Sequence, residues 1–319
     1  AALQERCQAS SIEISGVVKG FHALPAAAKV YEEVGVSSIA SSRIDQLRVL
    51  KEAGIRTPLM LIRIPMPSEV EDVVTWSDIS LNSECSVLRL LDEAARNKGR
   101  THKVILMVDL GDLREGFWDW DELVAAALEV EHDLPNLELL GVGTNLGCYG
   151  SIQATPEKMH DLVAAAEQVE KAIGRKLEVI SGGASSSLHM VLDGTMPPRI
   201  NHLRVGEGIL LGSIWGCNMD FMHKDIMVLR AQVIESKVKP SHPVGELSVD
   251  AFGQTRTYVD RGHRLRCLLA MGRVDYGESD DLIPREPGIK VLGASSDHTI
   301  LDVEGATRRL KTGDVLEFD

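Results

Sequence analysis

Eight times before about residue 215, the chain passes from a short β-branched run into a segment whose apolar residues recur at helical spacing. That alternation marks βα units, and eight of them predict an α/β fold built on a closed (β/α)8 TIM-type parallel barrel. The expected strands are 12–18, 37–40, 59–62, 79–81, 104–108, 137–141, 178–180 and 202–205. Between them lie stripes such as Leu24, Ala27, Val30, Val34 and Met159, Leu162, Val163, Ala166, Val169, Ile173, which read as helix faces turned to the core. After about Asp220 the texture changes to alternation, as in Met227 to Ile234, with turns rich in Gly, Pro and Asp. The expected division is a barrel over 1–219 and a smaller, mostly antiparallel β domain over 220–319.

Bulk properties exclude several classes of function. Lys plus Arg total 34 against 47 Asp plus Glu, a formal charge of −13, which disfavours a polyanionic partner such as DNA or RNA. Five cysteines, odd in number and far apart, make neither a disulfide framework nor a zinc cluster and suit a reducing cytoplasm. No apolar run approaches the roughly 18 residues of a membrane span. The chain begins at Ala1 without a methionine, so a leader or first element is expected to be missing.

In a parallel barrel the chemistry sits at the C-terminal ends of the strands. Lys19 closes the first run, just before Gly20, and a lysine there points into whatever the strand ends surround. A desolvated amine loses its proton easily and can form a Schiff base with a carbonyl cofactor, which makes Lys19 the candidate for pyridoxal 5'-phosphate. Taken alone, it reads more readily as a lysine snorkelling to solvent. Arg114, on the glycine-bounded loop after 104–108, has the geometry to clamp a carboxylate, or simply to pair with Asp109 or Asp112. Asn145 follows the sixth strand and offers an amide to a bound ring, or a loop support. The 181–187 stretch, with Ser185, combines glycines and hydroxyls before a helix and reads as a phosphate cradle. Gly206 and Glu207 supply a second loop after the last strand, with Arg204 aimed at the ring of a cofactor anchored there. An arginine beside a pyridine nitrogen keeps that nitrogen unprotonated and weakens the electron sink.

In order along the chain, the segments 18–19, 64–73, 79–84, 108–116, 143–146, 181–183, 203–207, 250–253 and 293–298 resemble the alanine racemase family of fold type III pyridoxal phosphate enzymes, and more closely its ornithine racemase branch. The resemblance implies that Lys19 bonds the cofactor, that Ser185 with the amides of Gly206 and Glu207 holds phosphate, and that Arg204 faces the pyridine nitrogen. It also implies that Arg114 approaches the substrate carboxylate or the cofactor phenolate. The family's catalytic tyrosine, supplied across a homodimer interface, falls at Arg273 here, leaving Tyr276 or His298 to act as second base. The family's histidine near the cofactor is Asn145, and its modified lysine is Met107. The family's extra N-terminal strand and helix and its C-terminal tail are also expected to lie outside this chain.

In related basic amino-acid decarboxylases an aspartate at the place of Asp297 meets the substrate's distal ammonium, so the resemblance implies ornithine or another basic amino acid. Decarboxylases of this fold carry an acid where Arg204 stands, so Arg204 favours racemisation by two-base Cα proton exchange over loss of CO2. A decarboxylase or aldolase of the same fold, or a noncatalytic pyridoxal phosphate carrier, are the competing readings. Carriers are single barrels, however, without a β domain.

Overall fold

The protein's structure, a computed structural model, describes residues 1–215, 217–250, 252–255 and 257–319; Ala251 of the 250–253 segment therefore lies outside the described residues. The chain forms two compact units, Ala1–Lys224 and Asp225–Asp319.

In the first unit eight parallel strands close into a barrel: β1 (Glu13–Val17), β2 (Ser38–Ser41), β3 (Leu59–Leu61), β4 (Ile79–Asn82), β5 (His102–Val108), β6 (Leu137–Thr144), β7 (Val179–Ala184) and β8 (His202–Val205). β1 pairs with both β2 and β8, which closes the ring. Helices cover the outside, so the strands are buried on both faces and read as near-continuous apolar runs. Outward-facing Ile39, Leu59, Leu61, Leu106 and Val108 pack with Leu47, Leu91, Leu123 and Leu162 of the helices. Inward-facing Val17, Ala40, Met60, Ile105 and Met107 fill the barrel. Each fully buried Val, Leu, Ile or Met side chain contributes about 1.5–3 kcal/mol.

The expected strands all form, but β6 and β7 run further than their β-branched cores. Gly141–Thr144 and Ser181–Ala184 read as loops because of their glycines, yet they are strand. Gly182 faces Ile200 and Met159, where a Cβ would collide. Within the cradle expected over 181–187, Gly182 and Gly183 therefore serve strand packing rather than presenting exposed amides.

Two buried histidines sit within the barrel strands, His202 on the inner face and His102 on the outer. His202 is fully buried, its Nε2 at 2.7 Å from Ser15 Oγ and its Nδ1 at 2.8 Å from Ser181 Oγ. His102 Nε2 lies 2.9 Å from Ser80 Oγ. Burial pushes His202 down to about 3, with Arg204 adding to the fall, and His102 down to about 4. Unfolded, both return to about 6.5. Below that pH the unfolded chain binds protons that the native chain refuses, so stability is fully present above about 6.5 and falls as pH drops towards 4 and then 3. The urea midpoint should accordingly decline from pH 7 to pH 5, and less steeply in His102→Gln. An equal slope in the two proteins would contradict this.

The second unit is a five-stranded antiparallel sheet. The first unit also carries a short antiparallel pair, β9 (Ser213–Ile214) and β10 (Cys217–Asn218), and the second contains β11 (Leu229–Pro240), β12 (His263–Leu269), β13 (Lys290–Ala294), β14 (Thr299–Asp302) and β15 (Val315–Phe318). These last five order as β13-β14-β12-β11-β15. Its own core gathers Val233, Cys267, Leu269, Leu301, Leu316 and Phe318.

Candidate active site

The C-terminal ends of the barrel strands surround a cavity of about 690 Å³ whose lining includes Lys19, Arg114, Asn145, Ser185, Arg204, Gly206 and Glu207. Seven positions spread over nearly two hundred residues thus meet in one place, because each lies at the C-terminal end of a strand of the same closed sheet or on the loop that follows it.

Lys19 opens a 3-10 turn, Lys19–Phe21, right after β1. The turn is held by Val18 N–H donating to Ala40 O and by Ala23 N–H donating to Val18 O. The residue is exposed, which corrects the desolvated amine expected from its sequence: the rim of the barrel is an open mouth, and Lys19 reaches the cavity from it.

Arg204 is buried, and among the described residues none of its hydrogen-bond partners is a carboxylate. Its Nη1 donates to Ser181 Oγ at 2.5 Å and its Nη2 to Thr144 O at 2.7 Å. Burial lowers its pKa to about 10, with the charge of Glu115 opposing that and the charge of Arg114 assisting. Asn145, buried at the cavity wall, has an Nδ2 without a hydrogen-bond partner among the described residues. Ser185 Oγ accepts from the amides of Gly206 at 3.2 Å and Gly208 at 3.0 Å, tying the β7 and β8 loops together. Glu207 turns its carboxylate to the Trp215 amide, 3.3 Å away.

Arg114 pairs with neither aspartate. Its Nε and Nη2 both reach the carboxylate of Glu115, which also lines the cavity and was not singled out in the sequence. Gly116 makes this loop possible: at φ +136, any Cβ would run into the backbone of Asp109. Asp109 instead accepts the amides of Gly111 and Leu113. Asp112 is fully buried and accepts from the amides of Gly147, Cys148, Tyr149 and Ile152 at 3.0–3.3 Å. It organises the loop that carries Asn145, a role invisible in the sequence because its partners lie 35 to 40 positions away.

In the second unit, Tyr276, Asp297 and His298 belong to one local structure. The amides of Arg273 and Val274 donate to Ser295 O and Ser296 O, and Gly272 lies so close to Ser296 that no side chain fits between them. Tyr276 Oη is 2.7 Å from Thr299 Oγ1, whose own proton goes to Met271 O, so the tyrosine is the donor. Asp297 is exposed and accepts from Ser296 Oγ at 2.7 Å; His298 is exposed. Arg273 pairs with Glu278 and stacks 3.9 Å above the Phe252 ring.

The barrel and its rim fit a phosphorylated pyridine cofactor. Among the described residues they offer a buried amide on Asn145 without a partner, a guanidinium held by neutral acceptors, and a serine bound to two loop amides on a cavity that Lys19 also lines. Fold and site together define a barrel enzyme that works on a small ligand at its strand ends. A profile of the alanine racemase N-terminal domain matches residues 1–213. The ornithine racemase of Acetoanaerobium sticklandii is 40% identical over 318 residues, which is 99% of this chain and 89% of that protein. The lysine racemase of Thermotoga maritima is 39% identical, across 98% and 87% of the two chains. Among solved structures, the alanine racemase of Streptomyces lavendulae superposes with a TM-score of 0.73 at 21% identity, covering 99% of this chain and 82% of that one. The chain belongs to the alanine racemase family of pyridoxal phosphate enzymes.

Proposed function

We propose that this protein interconverts the L and D forms of a basic amino acid, ornithine first, as a cytoplasmic homodimer whose active site is completed by the partner subunit. One observation carries the reading: Lys19, Arg204, Ser185 and Arg114 converge on a single strand-end cavity. Similarity to the ornithine and lysine racemases over almost the whole chain supports the substrate class.

In this reading Lys19 holds the cofactor, Ser185 and the Gly206 and Glu207 amides hold its phosphate, Asn145 meets its ring, and Arg204 faces the pyridine nitrogen. When bound, pyridoxal phosphate supplies the electron sink for the Cα carbanion. The protein's own groups decide which bond breaks. Arg114, oriented by Glu115, grips the substrate carboxylate and so keeps that group from leaving. Lys19 moves the Cα proton on one face, and a group from the second unit of the partner subunit moves it on the other. His298 suits that task better than Tyr276, whose hydroxyl proton is already given to Thr299. Asp297, exposed on the same turn, supplies the anion for a distal ammonium.

The test is a chiral assay of the cofactor-loaded protein with L-ornithine, L-lysine and L-alanine, with CO2 and glycine monitored in parallel. D-Ornithine formation is the expected result, and CO2 or glycine as the main product would defeat the reading in favour of a decarboxylase or aldolase. Asp297→Ala should lower kcat/KM for ornithine by about tenfold or more, the weight of one charge-assisted contact. Alanine turnover should change far less. Equal losses on both substrates would remove Asp297 from substrate recognition.

A further inference from the structure

Arg204 raises a physical question that its role does not answer. A buried guanidinium is ordinarily paired with a carboxylate, and this one is held by a hydroxyl and a carbonyl. A hydroxyl is a weak anchor unless its single proton is directed elsewhere, leaving its lone pairs to the arginine.

Ser181 is fully buried, and its Oγ has two polar neighbours: Arg204 Nη1, which can only donate, and His202 Nδ1 at 2.8 Å. If Nδ1 carried a proton, Ser181 would face two donors and its own proton would have no acceptor among the described hydrogen bonds, a costly state in a dry interior. With Nδ1 bare, the Ser181 hydroxyl proton and the His202 Nε2 proton each have an acceptor. Arg204 donates to Ser181, Ser181 to His202 Nδ1, His202 Nε2–H to Ser15 Oγ at 2.7 Å, and Ser15 to Ser38 Oγ or, more weakly, Met60 Sδ at 3.8 Å. The donors run in one sense, from β8 to β7, back to β8 and on to β1 and β2, and the arginine at the head sets that sense.

We propose that His202 is a positioning residue for Arg204: as a neutral imidazole protonated on Nε2, it fixes the Ser181 hydroxyl so that its lone pairs lock the guanidinium in the cavity wall. The geometry thereby replaces the missing carboxylate with an oriented dipole chain. A carboxylate would neutralise the arginine; this chain orients it and leaves its charge facing the cavity. His202 touches neither substrate nor cofactor, and it acts through Ser181 alone. The consequence for catalysis rests on the proposed placement of Arg204 at the pyridine nitrogen, but the tautomer does not.

The imidazole nitrogens are read directly by 15N NMR of histidine-labelled, cofactor-free protein, with signals assigned by the loss of one set in His202→Asn. The expected result is an unprotonated Nδ1 and a protonated Nε2 on His202. In arginine-labelled protein the Arg204 guanidinium should give separate, slowly exchanging Nη signals. These should survive in His202→Asn, whose side-chain oxygen can stand near Nδ1, and merge in His202→Leu. With cofactor and ornithine, His202→Leu should lose about ten- to a hundredfold in kcat, with KM little changed and His202→Asn much closer to the parent. A protonated Nδ1, or unaltered Arg204 signals in His202→Leu, overturns the proposal. If the leucine variant does not fold, the parent tautomer and the asparagine variant decide it. Failure of ornithine turnover with the predicted tautomer intact would count against the racemase reading and leave the relay standing.

Discussion

Lys19→Ala should abolish the visible absorbance that the cofactor-loaded protein acquires through its lysine and reduce racemisation by at least about 10²–10⁴-fold, the range for loss of one positioned acid or base. The variant should still fold. Lys19 is exposed, and the turn it opens is held by backbone bonds of Val18 and Ala23 that alanine leaves intact. Alanine adds no strain at a helical position, so the thermal midpoint should stay close to that of the parent. Chemistry and folding are thereby separated in one variant. Absorbance spectra and chiral assays before and after the substitution provide the measurement, and retention of either the band or the turnover would remove Lys19 from the mechanism and with it the enzyme assignment.

Asp112→Ala should produce the largest effect on structure. Four amides of the 147–152 loop share its two oxygens in a fully buried place, and Gly150 N–H donates to its carbonyl besides. Removing the carboxylate strands those donors, at a cost of about 2–4 kcal/mol, the range for charge-assisted bonds lost without replacement. Asparagine should be little better, since one of its two arms presents a donor to donors. Hydrogen exchange at Gly147, Cys148, Tyr149 and Ile152 should accelerate, and pyridoxal phosphate affinity should fall because Asn145 rides on the same loop. Unchanged exchange at those four amides would show that the carboxylate is not what holds the loop.

These expectations differ in how visible they were beforehand. Lys19, Arg204, Ser185 and Gly206 could be picked from the sequence because a barrel puts every strand end on one rim, so counting strands is enough to group residues far apart in the chain. Asp112 could not, since an aspartate two residues before an arginine reads as its partner by proximity. The structure gives that arginine to Glu115 and sends Asp112 across to the next loop. Ser15, Ser181 and His202 left a faint sign, polar residues within otherwise apolar strands that are buried on both faces. That sign says a polar network exists without saying who meets whom, because partners depend on register: Ser15 stands beside Ser38 and Arg204, and Ser181 beside His202, only in the alignment that the closed barrel adopts.

Period and composition alone therefore determined the kind of molecule this is. Eight β-branched runs separated by helical stripes bury both faces of every strand in a helix-covered parallel sheet, and alternation after residue 220 suits a sheet with one dry side. What only the tertiary structure decided was the wiring: the exposure of Lys19, the glycines that turned out to be strand, the carboxylate-free anchoring of Arg204, and the loop that Asp112 gathers. The physical reason is range. Hydrophobic burial is non-directional and follows from local pattern, whereas a hydrogen bond or an ion pair depends on tenths of an ångström between groups that the fold alone brings together.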